Sequence, residues 1–521
     1  MALKLNIGLI FTLAVLFVHP ITCAPQIKKF ENSLIKNLNN DGSKLQGINP
    51  ESKIGITSLE KVGRWIKING KYSYIVGIDF QRVASDTSID YIRSLNELIK
   101  KRVNFFRVWI MGVYMNPEDP EKNYIFPYVF ENGRYNINRW NNAFWTRLKN
   151  IIEEARKRNI IVCISVFNIL IPNFNKFITP FSAANNVNSV FSGDSDGDLY
   201  PDWYNLEYQE KGVYLKDKQK ALIDKTIDET KKYPNVILEI QNENGYHATT
   251  VKQASAWQNY WAEYARSRFP GMILVHAHQG GGQQVDGISD YWDKRYVDIL
   301  NFHFYTGDID LISSLLHDAQ EKNKIIMDNE GYPARNIDGS INSVQFEKAM
   351  RSNWGIFTSG GYGAIFMLSR HDDKIGDFEW NIIGERLKAQ RDIIETLQFW
   401  QMSPVDANGI EYDSLVSDGP VDKWQVICNP GSEYLVFFVN SRMLKNVNKL
   451  PFFFLNNRMQ RNVKIKLPFG TYKYEWYDPR DGDSLGEGTV SGSSTTNIPS
   501  PGISGWNENS GIVLTIKRDL N

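Results

Sequence analysis

Apolar, β-branched runs alternate with helix-period segments along the middle of this chain. The runs sit at Tyr74–Phe80, Val103–Trp109, Ile160–Phe167, Val236–Ile240, Met272–His276, Ile299–Phe304, Lys324–Met327 and Gly363–Leu368. Each is apolar on both faces and bounded by turn residues, the pattern of a strand covered on both sides in a parallel sheet. Between them, apolar residues recur at three- and four-residue spacing over Ile89–Lys101, Trp140–Arg158, Asp217–Lys232, Val251–Arg268, Ile309–Glu321 and Val344–Phe357. A weaker helix signal falls around Ser289–Tyr296, and a final helix runs from about Ile382 to Trp400. Eight strands alternating with helices predict an α/β fold, a (β/α)8 TIM barrel. A doubly wound open sheet rarely needs eight such units, and no glycine-rich dinucleotide fingerprint follows the first strand.

Both ends of the chain read differently. After about residue 401 helix patterns stop, and short strand runs appear at Trp424–Cys428, Tyr434–Val439, Val463–Leu467, Tyr472–Tyr477 and Ile512–Ile516. Turns such as Asn429-Pro430-Gly431 and Pro479-Arg480-Asp481-Gly482 separate them, which predicts a smaller all-β sandwich. At the other end Lys4 precedes an apolar stretch from Ile7 to Val18, followed by Thr22-Cys23-Ala24. That is the layout of a secretory signal peptide, too short to favour a spanning helix. The expected organisation is a signal peptide over 1–24, a Lys-, Asn- and Ser-rich lead-in over 25–60, the barrel over 61–400 and the sandwich over 401–521. Trp65–Asn69 and Tyr72–Ile78 predict a hairpin feeding the first barrel strand.

Charge and cysteine content narrow the function classes. Lys+Arg and Asp+Glu balance at 59 each, so no net-charge argument for nucleic acid or an acidic membrane survives. No second apolar stretch is long enough to span a bilayer. If Cys23 leaves with the leader, Cys163 and Cys428 remain, one in each predicted domain, and are expected as free thiols. The 14 Trp and 25 Tyr fit a large core as well as they fit sugar-stacking surfaces.

Two segments carry candidate chemistry: VILEIQNENGYH around Glu243 and KIIMDNEGYP around Glu330. In the barrel model Glu243 ends strand four and Glu330 ends strand seven, and catalytic groups of such barrels lie at the C-terminal strand ends. A lone glutamate at a strand end is more often a solvated surface residue. Two of them converging on one mouth make the pair that glycosidic cleavage needs: one carboxyl to protonate the leaving oxygen, one carboxylate to attack the anomeric carbon. Glu239 and Asp328 are rival carboxylates on the same strands, set deeper and read as supporting or helix-facing groups. Gly193-Asp194-Ser195-Asp196-Gly197-Asp198 lacks the glycine and distal glutamate positions of a calcium loop and reads as a solvated turn. His276 and His278 offer no third zinc ligand and are assigned to cleft or core.

On these residues the barrel resembles the clan A retaining glycoside hydrolases, in particular cellulase-like family 5 and its relatives. The matching pieces are Asn242-Glu243 within PNVILEIQNE, Glu330 on strand seven, Arg107 in NFFRVW on strand two, and His303-Phe304-Tyr305 on strand six. The likeness spans about residues 62 to 400, and the C-terminal part resembles the β-sandwiches appended to such barrels. The resemblance implies Glu243 as acid/base, Glu330 as nucleophile, and a separation of about 5 Å. It further implies that Asn242 donates to the sugar 2-hydroxyl, Arg107 keeps Glu330 charged, Tyr305 hydrogen-bonds Glu330, and His303 binds sugar or braces the acid. Strand three ends in Phe167-Asn168 where many members carry a histidine. Strand eight, AIFMLSRHDD, lacks the usual tryptophan floor. These departures weaken the case for cellulose and mannan. Trp109, Trp203, Tyr246, Tyr332 and Trp380 are the aromatics that could replace that floor, and Trp203 and Tyr204 could stack on a sugar.

The expectation is therefore a secreted retaining β-glycoside hydrolase acting on carbohydrate. It would use neither metal nor organic cofactor, and its substrate-binding residues would be Asn242, Arg107, His303, Tyr305, Trp109, Tyr246 and Trp203. Two rivals are a barrel that binds glycans without turnover and an adhesion protein whose sandwich carries the function.

Overall fold

The computed structural model describes residues 55–111, 124–168, 179–193, 202–243, 251–277, 292–331, 334–336, 340–366, 374–405, 415–421, 423–439, 461–501 and 511–520. The segments expected as signal peptide and, for the most part, as lead-in lie outside them.

The eight expected strands all form and close into one parallel barrel. They are β1 (Val76–Asp79), β2 (Phe105–Trp109), β3 (Ile161–Asn168), β4 (Val236–Asn242), β5 (Ile273–Ala277), β6 (Ile299–Phe302), β7 (Ile325–Asp328) and β8 (Tyr362–Phe366). Every residue of β2, β3 and β4 is buried, as the unbroken apolar runs required. The surrounding helices are α1 (Tyr91–Lys100), α2 (Asn142–Lys157), α3 (Leu215–Thr230), α4 (Val251–Arg268), α5 (Ile309–Gln320), α6 (Ser343–Thr358) and α7 (Phe378–Ile394). Five begin where an Asp or Asn side chain accepts a first-turn N–H: Asp90, Asn141, Asp308, Asn342 and Asp377. Such caps satisfy amides that the helix itself leaves open. Among the described residues no helix is long and apolar enough to cross a membrane.

Two local expectations need correction. The helix signal around Ser289–Tyr296 gives turn over its described part, 292–296. Tyr128–Glu131 and Arg134–Trp140 form a hairpin, so the helix expected from Trp140 starts at Asn142 instead. The N-terminal hairpin forms as Trp65–Ile68 against Lys71–Tyr72, with Leu59–Val62 added alongside it. Trp65 packs edge-on against Tyr362 of β8 and Phe399, and the Ile66 N–H donates to the Tyr362 hydroxyl.

The C-terminal strands are β9 (Ser403–Pro404), β10 (Val416–Asp418), β11 (Lys423–Asn429), β12 (Glu433–Val439), β13 (Val463–Ile465), β14 (Thr471–Tyr477), β15 (Ser484–Ser491), β16 (Thr496–Ile498) and β17 (Ile512–Arg518). They make a six-stranded antiparallel sheet, β9-β11-β12-β17-β14-β15, and a three-stranded one, β10-β13-β16. The larger sheet is apolar on both faces along its strands β11, β12 and β17. Val426, Cys428, Val436, Phe438 and Leu514 line the core between the two sheets, whereas their alternating neighbours Ile427, Leu435, Phe437, Val439 and Val513 join the barrel's own core. Phe437 stacks on Trp354 of α6 with ring centroids 5.6 Å apart. The run EYLVFFV therefore reads as continuously apolar because its strand is a middle layer, with α6 on one side and the small sheet on the other.

Candidate active site

Arg107 organises the floor of the barrel mouth. Its guanidinium is fully buried, with Nε at 2.9 Å from Asp79 Oδ1 and Nη2 at 3.0 Å from Asp79 Oδ2. Nη1 donates to Asn242 Oδ1 at 2.6 Å and to Asn329 Oδ1 at 3.2 Å, with Glu239 Oε2 at 3.5 Å. Nη2 also pairs with Glu330. A planar fork of donors suits such bidentate and bridging contacts, which a lysine in its place would not reproduce. Three carboxylates together raise the Arg107 pKa well above its ordinary value, against the burial that would lower it.

The two glutamates meet above this floor. Glu243 has φ 42°, a left-handed conformation that costs a side-chain-bearing residue about 1–2 kcal/mol. In a regular strand Asn242 and Glu243 would face opposite sides. The reversed backbone lets Asn242 reach Arg107 while Glu243 reaches His303 and Tyr305. The Tyr305 hydroxyl donates to Glu243 Oε1 at 3.2 Å and lies 3.1 Å from Glu330 Oε1, so a single phenol bridges the pair. His303 Nδ1 lies 3.2 Å from Glu243 Oε1 and 3.9 Å from Glu330 Oε2, and Nε2 lies 3.0 Å from Asn329 Oδ1. One ligand-type atom from each of Glu243, His303 and Glu330 lies within 4.8 Å of the others, an arrangement able to share a proton or hold a cation. Asp328 fixes the neighbouring backbone: its carboxylate accepts from the Glu330 N–H at 3.0 Å and the Phe304 N–H at 3.2 Å.

The charge balance decides where protons reside. Five buried carboxyl groups, Asp79, Glu239, Glu243, Asp328 and Glu330, face only Arg107 and His303. An uncompensated buried charge is expensive, so such a site retains protons. Burial, helped by the charge of Glu330, pushes Asp79 up to about 6 in spite of Arg107. Burial takes Asp328 up to about 7. Burial alone would lower His303, but the charge of Glu330 and the hydrogen bond and charge of Glu243 raise it to about 9. Its Nδ1 faces the Glu243 carboxylate, and its Nε2 faces the Asn329 carbonyl with the Asn301 amide nitrogen beside it at 3.3 Å. Burial and the charge of Glu243 hold Glu330 above the usual glutamate value, with Arg107 and His303 opposing. Burial would raise Glu243 as well. The hydrogen bond and charge of His303 outweigh it and keep Glu243 below its usual value.

Of the residues expected from sequence, Arg107, Asn242, Glu243, His303, Tyr305 and Glu330 come together here. Trp109 lies 3% exposed beneath them, with the Arg107 guanidinium 5.6 Å from its ring centre. Tyr246 and Tyr332 lie outside the described residues. Trp203 is a correction. Its ring is fully buried against Phe167, Phe181 and Trp257, and its indole N–H donates to Gln241 Oε1 at 3.0 Å. Tyr204 likewise donates no face to the mouth; it packs on Trp257 and its hydroxyl accepts from Gln241 Nε2 at 2.8 Å. Trp380 is also fully buried. Replacing Trp203 by alanine is expected to destabilise the protein by about 3–5 kcal/mol and to leave ligand affinity unchanged in the molecules that stay folded. Urea unfolding beside a binding titration checks both halves of that expectation.

Sequence reading missed Asp79, Asn301 and Asn329. Asn301 Nδ2 donates to Asn329 Oδ1 at 2.9 Å and to Glu239 Oε1 at 3.3 Å, so these amides knit the floor together. The available signal was a lone polar residue inside an otherwise apolar strand, as in VGIDF for Asp79.

No protein-family model and no curated protein sequence matches this chain. Solved structures do. A glycoside hydrolase family 5 structure from Bacteroides vulgatus superposes with a TM-score of 0.59 at 15% identity, covering 89% of this chain and 94% of its own. A second glycoside hydrolase structure gives a TM-score of 0.58 at 12% identity, covering 90% of this chain and 98% of its own. Identities this low establish a shared fold, barrel and C-terminal sheets together.

Proposed function

We propose that this chain is a retaining glycoside hydrolase that cleaves β-glycosidic bonds of a polysaccharide or glycoconjugate. The observation that carries the reading is the pair Glu243–Glu330, set at one barrel mouth, within 4.8 Å through their nearest oxygens and bridged by Tyr305. A gap of that size suits direct attack by one carboxylate, whereas inverting enzymes need room for a water between the pair. The names of the solved structures sharing the fold support the same reading, as does the resemblance on strands two, four, six and seven.

In the proposed mechanism Glu330 attacks the anomeric carbon as the glycosidic C–O bond breaks, and Glu243 delivers a proton to the departing oxygen. Glu243 then takes a proton from water as that water attacks the glycosyl ester, which frees Glu330. Arg107 supports the charge of Glu330. It also holds the Asn242 carbonyl, and this leaves an Asn242 N–H free for a sugar hydroxyl beside the one directed at Asn168 Oδ1, 3.4 Å away.

The proton for the first step belongs to the His303–Glu243 pair. It rests on His303 and reaches Glu243 through one 3.2 Å hydrogen bond when the leaving oxygen draws it. The acid limb of the pH–rate profile should therefore lie above the ordinary glutamate pKa, where Glu330 loses its proton. The basic limb should fall near 9, where the pair loses its own. Replacing His303 by glutamine leaves the proton on Glu243 alone, and the basic limb is expected to move down by about one unit or more. An unmoved limb would sink this assignment.

The test of the reading itself is reducing-end release across a glycan panel, with the anomeric configuration of the first product followed by NMR. Release with retention is expected; inverted product would overturn the double displacement. Tight binding without release would favour the glycan-binding alternative. Secretion is part of the proposal and rests on residues 1–24 alone.

A further inference from the structure

The segment joining β6 to α5 carries His303 and Tyr305, and it is held from two sides. On the barrel side the Phe304 N–H donates to Asp328 Oδ2 at 3.2 Å. On the far side the anchors come from the C-terminal sheet. Lys423 of β11 places Nζ at 3.0 Å from Asp308 Oδ1 and 2.6 Å from Asp310 Oδ2. Gln425, two residues along the same strand, donates through Nε2 to the Ile309 carbonyl and accepts from Thr358 Oγ1 of α6 at 2.6 Å. Asp308 is three residues from Tyr305, and its N–H donates to Thr306 Oγ1 at 3.1 Å. Gly307 sits so close to α6 that an added Cβ would meet the Lys348 Cα at 3.1 Å. The chain between Tyr305 and α5 therefore has little freedom as long as β11 stays docked.

We propose that strand β11 is part of the catalytic apparatus, and that Lys423 and Gln425 are positioning residues which hold Tyr305 against both carboxylates. This rests on the glycosidase reading given above, since it assigns a purpose to the fixed Tyr305. The physical reason is the small tolerance of the bridge. One phenol oxygen must stay within hydrogen-bond reach of two carboxylates on different strands, and a misplacement of about 1 Å can cost about 10²-fold in rate. A buried amide tying α5 to α6 and a cation closing on the α5 N-terminus restrain the segment in different directions. The cation also faces two acidic residues in the first turn, where negative side chains are already favoured by the helix.

The experiment uses the full chain with Lys423→Met, Lys423→Arg and Tyr305→Phe. Lys423→Met keeps the stem and removes the charge. It is expected to lower kcat about tenfold with KM within about twofold, and Lys423→Arg should recover most of the loss. In the Tyr305→Phe background Lys423→Met should add little further loss, because the lysine acts through that hydroxyl. Amide hydrogen exchange over residues 302–312 should quicken about tenfold in Lys423→Met, while exchange over β2 and β3 stays as in the wild type. Unchanged kcat and unchanged exchange would overturn the proposal, even with a lower melting temperature, because that pattern marks a merely stabilising contact. If no glycan is hydrolysed by the wild type, the glycosidase reading fails while the exchange result still decides whether β11 holds the Tyr305 segment.

Discussion

Glu330→Gln is expected to abolish turnover, with kcat down by about 10⁴-fold or more and the fold intact. The size of the effect follows from the role proposed for Glu330 as nucleophile of a covalent mechanism, for which the loss of one group forfeits nearly the whole catalytic unit. The fold should survive for a reason visible at the floor of the site. Arg107 keeps Asp79 on two nitrogens and Glu239 at 3.5 Å, so its charge stays compensated when Glu330 becomes neutral. Stability should hold or rise, because one of five crowded carboxyl groups has gone. The same substitution predicts a shift elsewhere. The charge of Glu330 is the largest influence raising His303, so the histidine should titrate below 9 in the variant, which its ring-proton NMR signals would report. Release of reducing ends at more than a tenth of the wild-type rate would remove Glu330 from the role.

Ending the chain near residue 401 is expected to leave no folded barrel. At first reading the C-terminal part looks like a module that could be cut away, and assaying each half would then separate enzyme from adhesion protein. The packing removes that option. Ile427, Leu435, Phe437, Val439 and Val513 are buried in the barrel's core cluster, and Phe437 stacks on Trp354. Exposing the helix faces under five large apolar side chains costs on the order of 10 kcal/mol at about 2 kcal/mol each, comparable with the whole stability of a domain. Thr358 and the α5 N-terminus would also lose their Gln425 and Lys423 partners. Loss of far-UV structure or inclusion-body formation by a 25–401 chain is the expected result. A soluble, cooperatively melting fragment would contradict it.

The architecture was readable because its signals are local and repeated. Eight apolar runs predicted eight barrel strands, and apolar residues at three- and four-residue spacing predicted the helices between them. The parts that escaped reading depend on partners distant in sequence. Asp79 has no meaning alone, and acquires one only when β1 lies beside β2 and Arg107 reaches it. Trp203 carried the composition of a sugar platform, but its indole met Gln241 and its faces met Phe167 and Trp257. Aromatic content cannot tell a binding face from a core. Strand β15, SLGEGTVS, is not among the expected strand runs, since it lacks an apolar β-branched pattern, and its strand character comes from pairing with β14 along Thr471–Tyr477. The left-handed backbone at Glu243 also left no mark on the sequence, since non-glycine residues there are tolerated only when their surroundings impose it.

The two remaining cysteines follow from the same layered packing. Cys163 lies wholly buried in β3 inside the barrel, and Cys428 lies wholly buried between the two C-terminal sheets, both unpaired. In a chain starting at residue 25 they are the only thiols. Burial pushes the Cys428 thiol up to about 12 and holds Cys163 well above its usual value, so neither reacts while its layer is closed. They act as two clocks set in different rooms of one building. Added thiol reagent will reach each only when that room opens, and mass spectrometry can time the two modifications separately. Because the middle sheet belongs to both cores, the two clocks should start together.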